Sequence, residues 1–160
     1  MYSSIIKTAV LILDNIRSVE NTGSIFRTAE CLGVSKIFLI GTTPAPIDRF
    51  GRVRTDFSKV ALGAEKLVEW EYQKEIDGVI KGLKEQNFKI LALEQDDRSV
   101  NLEKYKSPEQ FALIVGNEVD GVNKNVLDEC DEIVEIEMKG EKESLNVSVA
   151  TGIALFELLK

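Results

Sequence analysis

Phe111-Ala112-Leu113-Ile114-Val115-Gly116-Asn117-Glu118-Val119-Asp120-Gly121 decides the fold class of this 160-residue chain. Its apolar run has no polar alternation, so it reads as a strand buried on both faces, the pattern of a parallel sheet covered by helices. Gly116 ends the run and permits close backbone approach to a ligand at the carboxyl edge of the sheet. Glu118 can accept hydrogen bonds there, and Gly121 allows the turn before the next helix. A plain strand-to-helix turn, with glycines serving geometry alone, meets the same spacing. The segment is not a P-loop, because no Gly-Lys-Ser/Thr follows, and the chain contains no Gly-x-Gly-x-x-Gly.

Similar short apolar runs recur along the chain. Thr8–Leu13, Lys36–Ile40, Phe88–Leu93 and Ile133–Ile136 read as further strands, and Val68–Tyr72 as a weaker one. Between them, Thr22–Leu32, Lys74–Gln86 and Asn123–Cys130 carry helical periodicity. In the second of these, Ile76, Val79, Ile80 and Leu83 form one apolar stripe that should cover a sheet face. Such alternation predicts an α/β domain with a mostly parallel sheet and helices on both faces. At 160 residues without repeats or a Pro/Gly-rich linker, residues 1–160 read as a single domain. The longest irregular segment, Gly41 to Arg54, is a functional candidate because loops of that length are uncommon in compact domains.

Glu143-Ser144-Leu145-Asn146-Val147-Ser148-Val149-Ala150 leads into a final helix, Asn146 to Leu159. Ser144 or Asn146 can cap that helix, and its bare N–H groups together with side-chain oxygens can also form a binding site. Val147, Val149, Ala150, Ile153, Ala154, Leu155, Phe156, Leu158 and Leu159 surround almost its whole circumference. A helix apolar all round must be covered on more than one side, and a partner subunit would supply that cover. Near the start, Asn21 is a natural N-cap, with Ile25, Ala29 and Leu32 on one face of the helix that follows. Arg27 lies about 160–200° from that stripe and points away from the sheet. On spacing alone, a cap plus an ordinary surface arginine accounts for the pattern.

Bulk composition excludes several chemistries. The chain has no histidine, which removes Ser-His-Asp and Cys-His schemes and most zinc sites; no metal is expected. Cys31 and Cys130 form no metal or disulfide spacing, which favours a reducing cytoplasm. No apolar run approaches the ~20 residues needed to span a membrane. The opening Met1-Tyr-Ser-Ser-Ile-Ile-Lys7 lacks the features of a secretory signal. The net charge is −7, yet residues 1–64 carry eight Lys/Arg against five Asp/Glu, whereas residues 65–160 carry twelve against twenty-two. A basic first part can face phosphate while an acidic surface keeps the protein soluble.

Taken in order, Asn15–Arg27, Gly116–Gly121 and Glu143–Ala150 resemble the motifs of the TrmH/SpoU family (SPOUT superfamily) of RNA ribose 2′-O-methyltransferases. The similarity runs from about Ala9 to Leu159. It implies a C-terminal trefoil knot, which no pattern argument would propose. It also implies S-adenosyl-L-methionine as cofactor, held at Leu93, Gly116, Gly121, Ile136, Ser144 and Leu145. The reaction implied is attack by a ribose 2′-oxygen on an electrophilic methyl group. Arg27 matches the reaction-centre arginine; since guanidinium stays protonated, a fixed positive charge on phosphate and developing alkoxide suits it better than a base. Asn21, Glu118, Ser144 and Asn146 would shape the ribose pocket and hold Arg27, across a homodimer interface. No separate RNA-binding domain is expected, so Arg49, Arg52 and Arg54 in the long loop, with Lys59, are the candidates for RNA contact. Ala61-Leu-Gly-Ala-Glu65 and Leu93-Glu-Gln-Asp resemble members that modify the tRNA D-loop guanosine, which puts tRNA ahead of rRNA as substrate. A family member that kept RNA binding and lost turnover is the alternative.

Overall fold

The computed structural model of the protein describes residues 5–160; Met1–Ser4 of the N-terminal segment lie outside the described residues. Seven parallel strands form one sheet in the order β3-β2-β1-β6-β4-β7-β5. They are β1 Thr8–Asp14, β2 Lys36–Ile40, β3 Glu69–Gln73, β4 Lys89–Leu93, β5 Val100–Asn101, β6 Gln110–Val115 and β7 Glu132–Glu135. The helices are α1 Val19–Cys31, α2 Thr55–Ala61, α3 Asp77–Glu85, α4 Lys124–Asp128 and α5 Val147–Leu158.

Period-2 alternation of the central strands divides the core in two. Leu11 and Leu13 of β1, with Leu113 and Val115 of β6, face a cluster that includes Ile25, Phe26, Phe57, Ala154 and Leu155. Val10, Ile12, Ala112 and Ile114 face the opposite cluster, with Val79, Ile80 and Leu83 of α3 and Val126 and Leu127 of α4. Thus α1, α2 and α5 cover one face, and α3 and α4 cover the other. Phe26 and Phe57 meet edge to face, ring centroids 5.1 Å apart at 86°, a contact worth about 0.5–1.5 kcal/mol beyond its buried area.

Several expectations shift in detail. The first helix begins at Val19, not Thr22, because Ser18 is the N-cap and its Oγ accepts the Asn21 N–H at 3.1 Å. Asn21 therefore sits inside the first turn, and its side chain is free for another task. The second predicted helix starts at Asp77, after Ile76 as N-cap, so Lys74 and Glu75 stay outside. Two elements were not anticipated. α2 is seven residues long and buries only Phe57 and Ala61, too little to register as periodicity; β5 is only two residues long.

Gly116 departs more instructively from its reading. A Cβ there would lie 2.4 Å from the carbonyl carbon of Gly121 and 2.6 Å from the Val122 nitrogen. The close approach it permits is thus, first of all, that of the chain's own backbone. Gly121 has φ +67°, and a Cβ on it would meet Glu94 Oε2 at 2.2 Å. Gly116→Ala should therefore lower the unfolding free energy by about 1–3 kcal/mol, the usual cost of overpacking, measurable as a lower denaturant midpoint. An unchanged midpoint would mean that the 116–122 turn is free to open.

Candidate functional site

In a parallel sheet all carboxyl ends lie along one edge, and the loops leaving them share that edge. Three loops there enclose a cleft of about 590 Å³, within the ~300–1,000 Å³ of small-molecule sites. Leu93, Glu94 and Gln95 line it after β4, residues 115–121 after β6, and Ile136, Met138 and residues 143–147 after β7. Every residue assigned to the cofactor from sequence belongs to this lining: Leu93, Gly116, Gly121, Ile136, Ser144 and Leu145. Glu118 and Asn146 line it as well. Leucine, valine and isoleucine side chains sit beside backbone groups and carboxylates, a lining able to hold a ring and a polar tail together. Glu94, Glu118, Asp120, Glu135 and Glu143 are the charged groups of the lining, which contains no lysine or arginine.

Amide side chains hold the walls in place. Asn117 Oδ1 accepts from the N–H groups of Val119 at 2.8 Å and Asp120 at 3.1 Å, while Gly121 N–H donates to Asn117 O at 2.9 Å. Its Nδ2 donates to Asn15 O at 2.9 Å, and Asn15 Oδ1 accepts from Thr42 N–H at 3.0 Å. Asn15 has φ +55°, a conformation Asn tolerates better than most residues. It joins the end of β1 to the loops after β2 and β6. Burial pushes the neighbouring Asp14 carboxyl up from its ordinary range, partly offset by the hydrogen bond from Asn15 Nδ2. Glu94 completes the frame: Oε2 accepts Val122 N–H at 2.9 Å, and Gln95 Nε2 donates to Glu143 O at 2.9 Å. Sequence reasoning gave no role to Asn15, Asn117, Glu94 or Gln95. Their position just past strand ends was the available signal.

The three motifs meet through Asn21. Its Nδ2 donates to Glu118 Oε1 at 2.9 Å, and its Oδ1 accepts from Asn146 Nδ2 at 3.1 Å. Asn146 is also the N-cap of α5, accepting the Ser148 and Val149 N–H groups at 2.9 and 3.3 Å. It caps and joins the site at once. Ser144 lines the cleft and is exposed; Asn146 alone takes the cap.

Arg27 is not brought to this cleft. It is exposed on α1, outside the lining, and makes no ion pair or side-chain hydrogen bond among the described residues. The neighbouring α5 packs through Thr151, Ala154, Leu155 and Leu158 and leaves Val149 50%, Ile153 44% and Phe156 61% exposed. Arg27 and this apolar strip thus project from the same helical layer.

The candidate RNA-contact residues lie apart from the cleft lining and divide into two kinds. Arg52 pairs with Asp48 at 3.0 Å and Arg54 with Asp56 at 2.8 Å. Arg49 and Lys59 are exposed and make no ion pair among the described residues. The Asp48 carboxyl is held below its ordinary range, chiefly by the backbone N–H of Arg52. No helix of the described residues is long and apolar enough to cross a membrane. Cys31 and Cys130 are unpaired thiols.

The SpoU rRNA Methylase family model matches residues 8–156. The 23S rRNA (guanosine-2′-O-)-methyltransferase RlmB of Salmonella typhi is 33% identical over 151 residues, 94% of this chain and 59% of that protein. Its namesake in Escherichia coli K12 is 31% identical over 160 residues, 100% of this chain and 63% of that protein. The chain therefore spans less than two thirds of the length of these relatives. Among solved structures, an A. aeolicus TrmH/SpoU tRNA modifying enzyme superposes with TM-score 0.81 at 27% identity, covering 97% of this chain and 77% of that one. An AdoMet-bound rRNA methyltransferase from Sinorhizobium meliloti gives 0.82 at 25% identity, covering 99% and 60%. With its parallel sheet, its ordered motifs and a family match over nearly its whole length, the chain belongs to the SpoU rRNA methylase family.

Proposed function

We propose that the protein is an S-adenosylmethionine-dependent RNA methyltransferase acting on a ribose 2′-hydroxyl, with a guanosine of ribosomal RNA as its substrate. The observation that carries this reading is the convergence of Leu93, Gly116, Gly121, Ile136, Ser144 and Leu145, from three separate strand ends, on one cleft. Its carboxylate-rich lining suits a cationic sulfonium and repels phosphate, so the RNA backbone must be held elsewhere. When bound, the cofactor supplies an electrophilic methyl group. Leu93, Ile136 and Leu145 would pack its ring, and the 116–121 backbone would offer N–H and C=O groups. The trefoil threading belongs to the same proposal, supported by the crowding of the 116–122 and 136–146 segments around this cleft.

Arg27 supplies a permanent positive charge and a planar donor fork, able to hold a phosphate and offset charge developing on the ribose oxygen. It is exposed and outside its own cleft's lining, so the proposal places it in the partner's, with the strip Val149, Ile153 and Phe156 as the dimer seam. Asn21, Glu118 and Asn146 would fix the floor beside the ribose. The expected preference for tRNA gives way to rRNA, because the relatives that match over nearly the whole chain are named for guanosine in 23S rRNA. An intracellular RNA substrate and two unpaired thiols fit a cytoplasmic setting.

Two outcomes test the proposal. Arg27→Ala should lower methyl transfer from labelled donor to ribosomal RNA by at least ~100-fold, the scale of losing one preorganised donor, with donor affinity by calorimetry near native. Near-native turnover by that variant would remove the mechanism, and transfer to tRNA but not rRNA would restore the first substrate expectation. The native protein should sediment as a dimer at micromolar concentration, and Phe156→Glu should release monomers. A monomeric native protein at that concentration would contradict the shared site.

A further inference from the structure

The segment Pro46–Arg54 leaves the same sheet edge as the cleft and is far more ordered than a loop of solvated arginines needs to be. Asp48 N–H donates to Arg52 O at 2.8 Å, and Arg54 N–H donates to Pro46 O at 2.9 Å. The Asp48 carboxylate accepts from Phe50 N–H at 2.8 Å, Arg52 N–H at 2.9 Å and Arg52 Nε at 3.0 Å. Gly51, at φ +77°, closes the turn. At its tip this frame holds Phe50 66% exposed. The guanidinium carbons of Arg49 and Arg52 lie 4.8 and 5.0 Å from its ring centroid.

A hydrogen-bonded turn that presents an aromatic ring to solvent with two guanidinium groups beside it has a specific chemical match. We infer that Phe50 is a stacking platform for an unpaired base of the RNA, with Arg49 taking the adjoining phosphate; this inference rests on the RNA reading above. Every base has a π face, and stacking on an aromatic residue is one of the main ways single strands are held. A paired base hides its faces in the helix, so the nucleotide must be unpaired. An apolar protein surface is a poor occupant, since docking on Phe50 would strip water from the flanking guanidinium groups. Arg52, fixed to Asp48, builds the platform, whereas Arg49 makes no ion pair among the described residues and can turn to phosphate. Root contacts keep the loop in register: Ile16 N–H donates to Thr43 Oγ1 at 3.0 Å, and that hydroxyl donates to Leu13 O at 2.8 Å. Platform and cleft are thereby tied to the same strand end.

The test measures binding of the native protein, Phe50→Ala, Phe50→Trp and Arg49→Ala to a short single-stranded RNA and to a duplex of equal length. Phe50→Ala should weaken single-strand binding by roughly 5- to 150-fold, the value of one stacked base, and leave duplex binding unchanged. Phe50→Trp should bind like the native protein. Arg49→Ala should weaken both RNAs and lower the salt slope by about one phosphate contact. Unchanged single-strand binding by Phe50→Ala, or equal loss of both RNAs, overturns the platform. Methyl transfer to ribosomal RNA, measured on the same proteins, judges the enzymatic reading separately. Native-like transfer and binding by Phe50→Ala removes the platform and leaves the enzyme; Phe50-dependent binding without any transfer removes the enzyme and leaves the platform.

Discussion

Backbone lies against backbone where residue 116 meets residues 121 and 122, and no side chain fits between them. The site depends on that contact. It folds the segment after β6 back on itself, so that Asn117 can satisfy the N–H groups of Val119 and Asp120 while its amide reaches Asn15. Glu94 then closes the turn from the neighbouring strand end through Val122 N–H. These N–H groups are part-buried, so leaving each unpaired would cost up to about 1–3 kcal/mol, the value for a fully buried group. The same devices that satisfy the edge therefore build the walls of a cavity.

From this frame follows a division of labour. The cleft is acidic and apolar, suited to a small cationic ligand, and its lining contains no lysine or arginine. Exposed positive charge lies outside it, at Arg27 on α1 and at the Arg49 loop, where the proposed RNA would meet it. Asn21 links α1 to Glu118 and Asn146 at the cleft, yet Arg27, six residues on, is turned well away from it. A single subunit thus holds the floor of the proposed site without its charge. In the proposed dimer, the exposed strip Val149, Ile153 and Phe156 on the adjacent α5 would be the seam through which a second subunit brings that charge.

Much of this was legible in the sequence because the informative signals were local. The apolar strands of the central sheet, the stripe of α3 and the all-round apolarity of α5 are one-dimensional patterns with direct structural meaning. The cap at Ser18 was missed because Asn21 is also a good capping residue, and only the fold shows that its side chain is needed by Glu118 and Asn146. α2 escaped because it buries too few residues to show a period. Glu94, Asn15 and Asn117 lie in or beside the quoted motifs, yet their individual roles could not be assigned from sequence because those roles are hydrogen bonds between loops far apart in the chain. Gly116 was read toward a ligand, whereas its first requirement is set by Gly121.

A mixed-dimer experiment tests the shared site most directly. Arg27→Ala lacks the charge, and Leu145→Glu obstructs the cleft; each alone should be inactive in methyl transfer to ribosomal RNA. Co-refolded in equal amounts, they should form heterodimers in about half the population, each with one intact site, and recover about a quarter of native activity, as two-fold symmetry requires. Recovery at that level would place Arg27 of one subunit at the cleft of the other. Failure to recover activity, with heterodimers demonstrably present, would contradict a site shared between subunits.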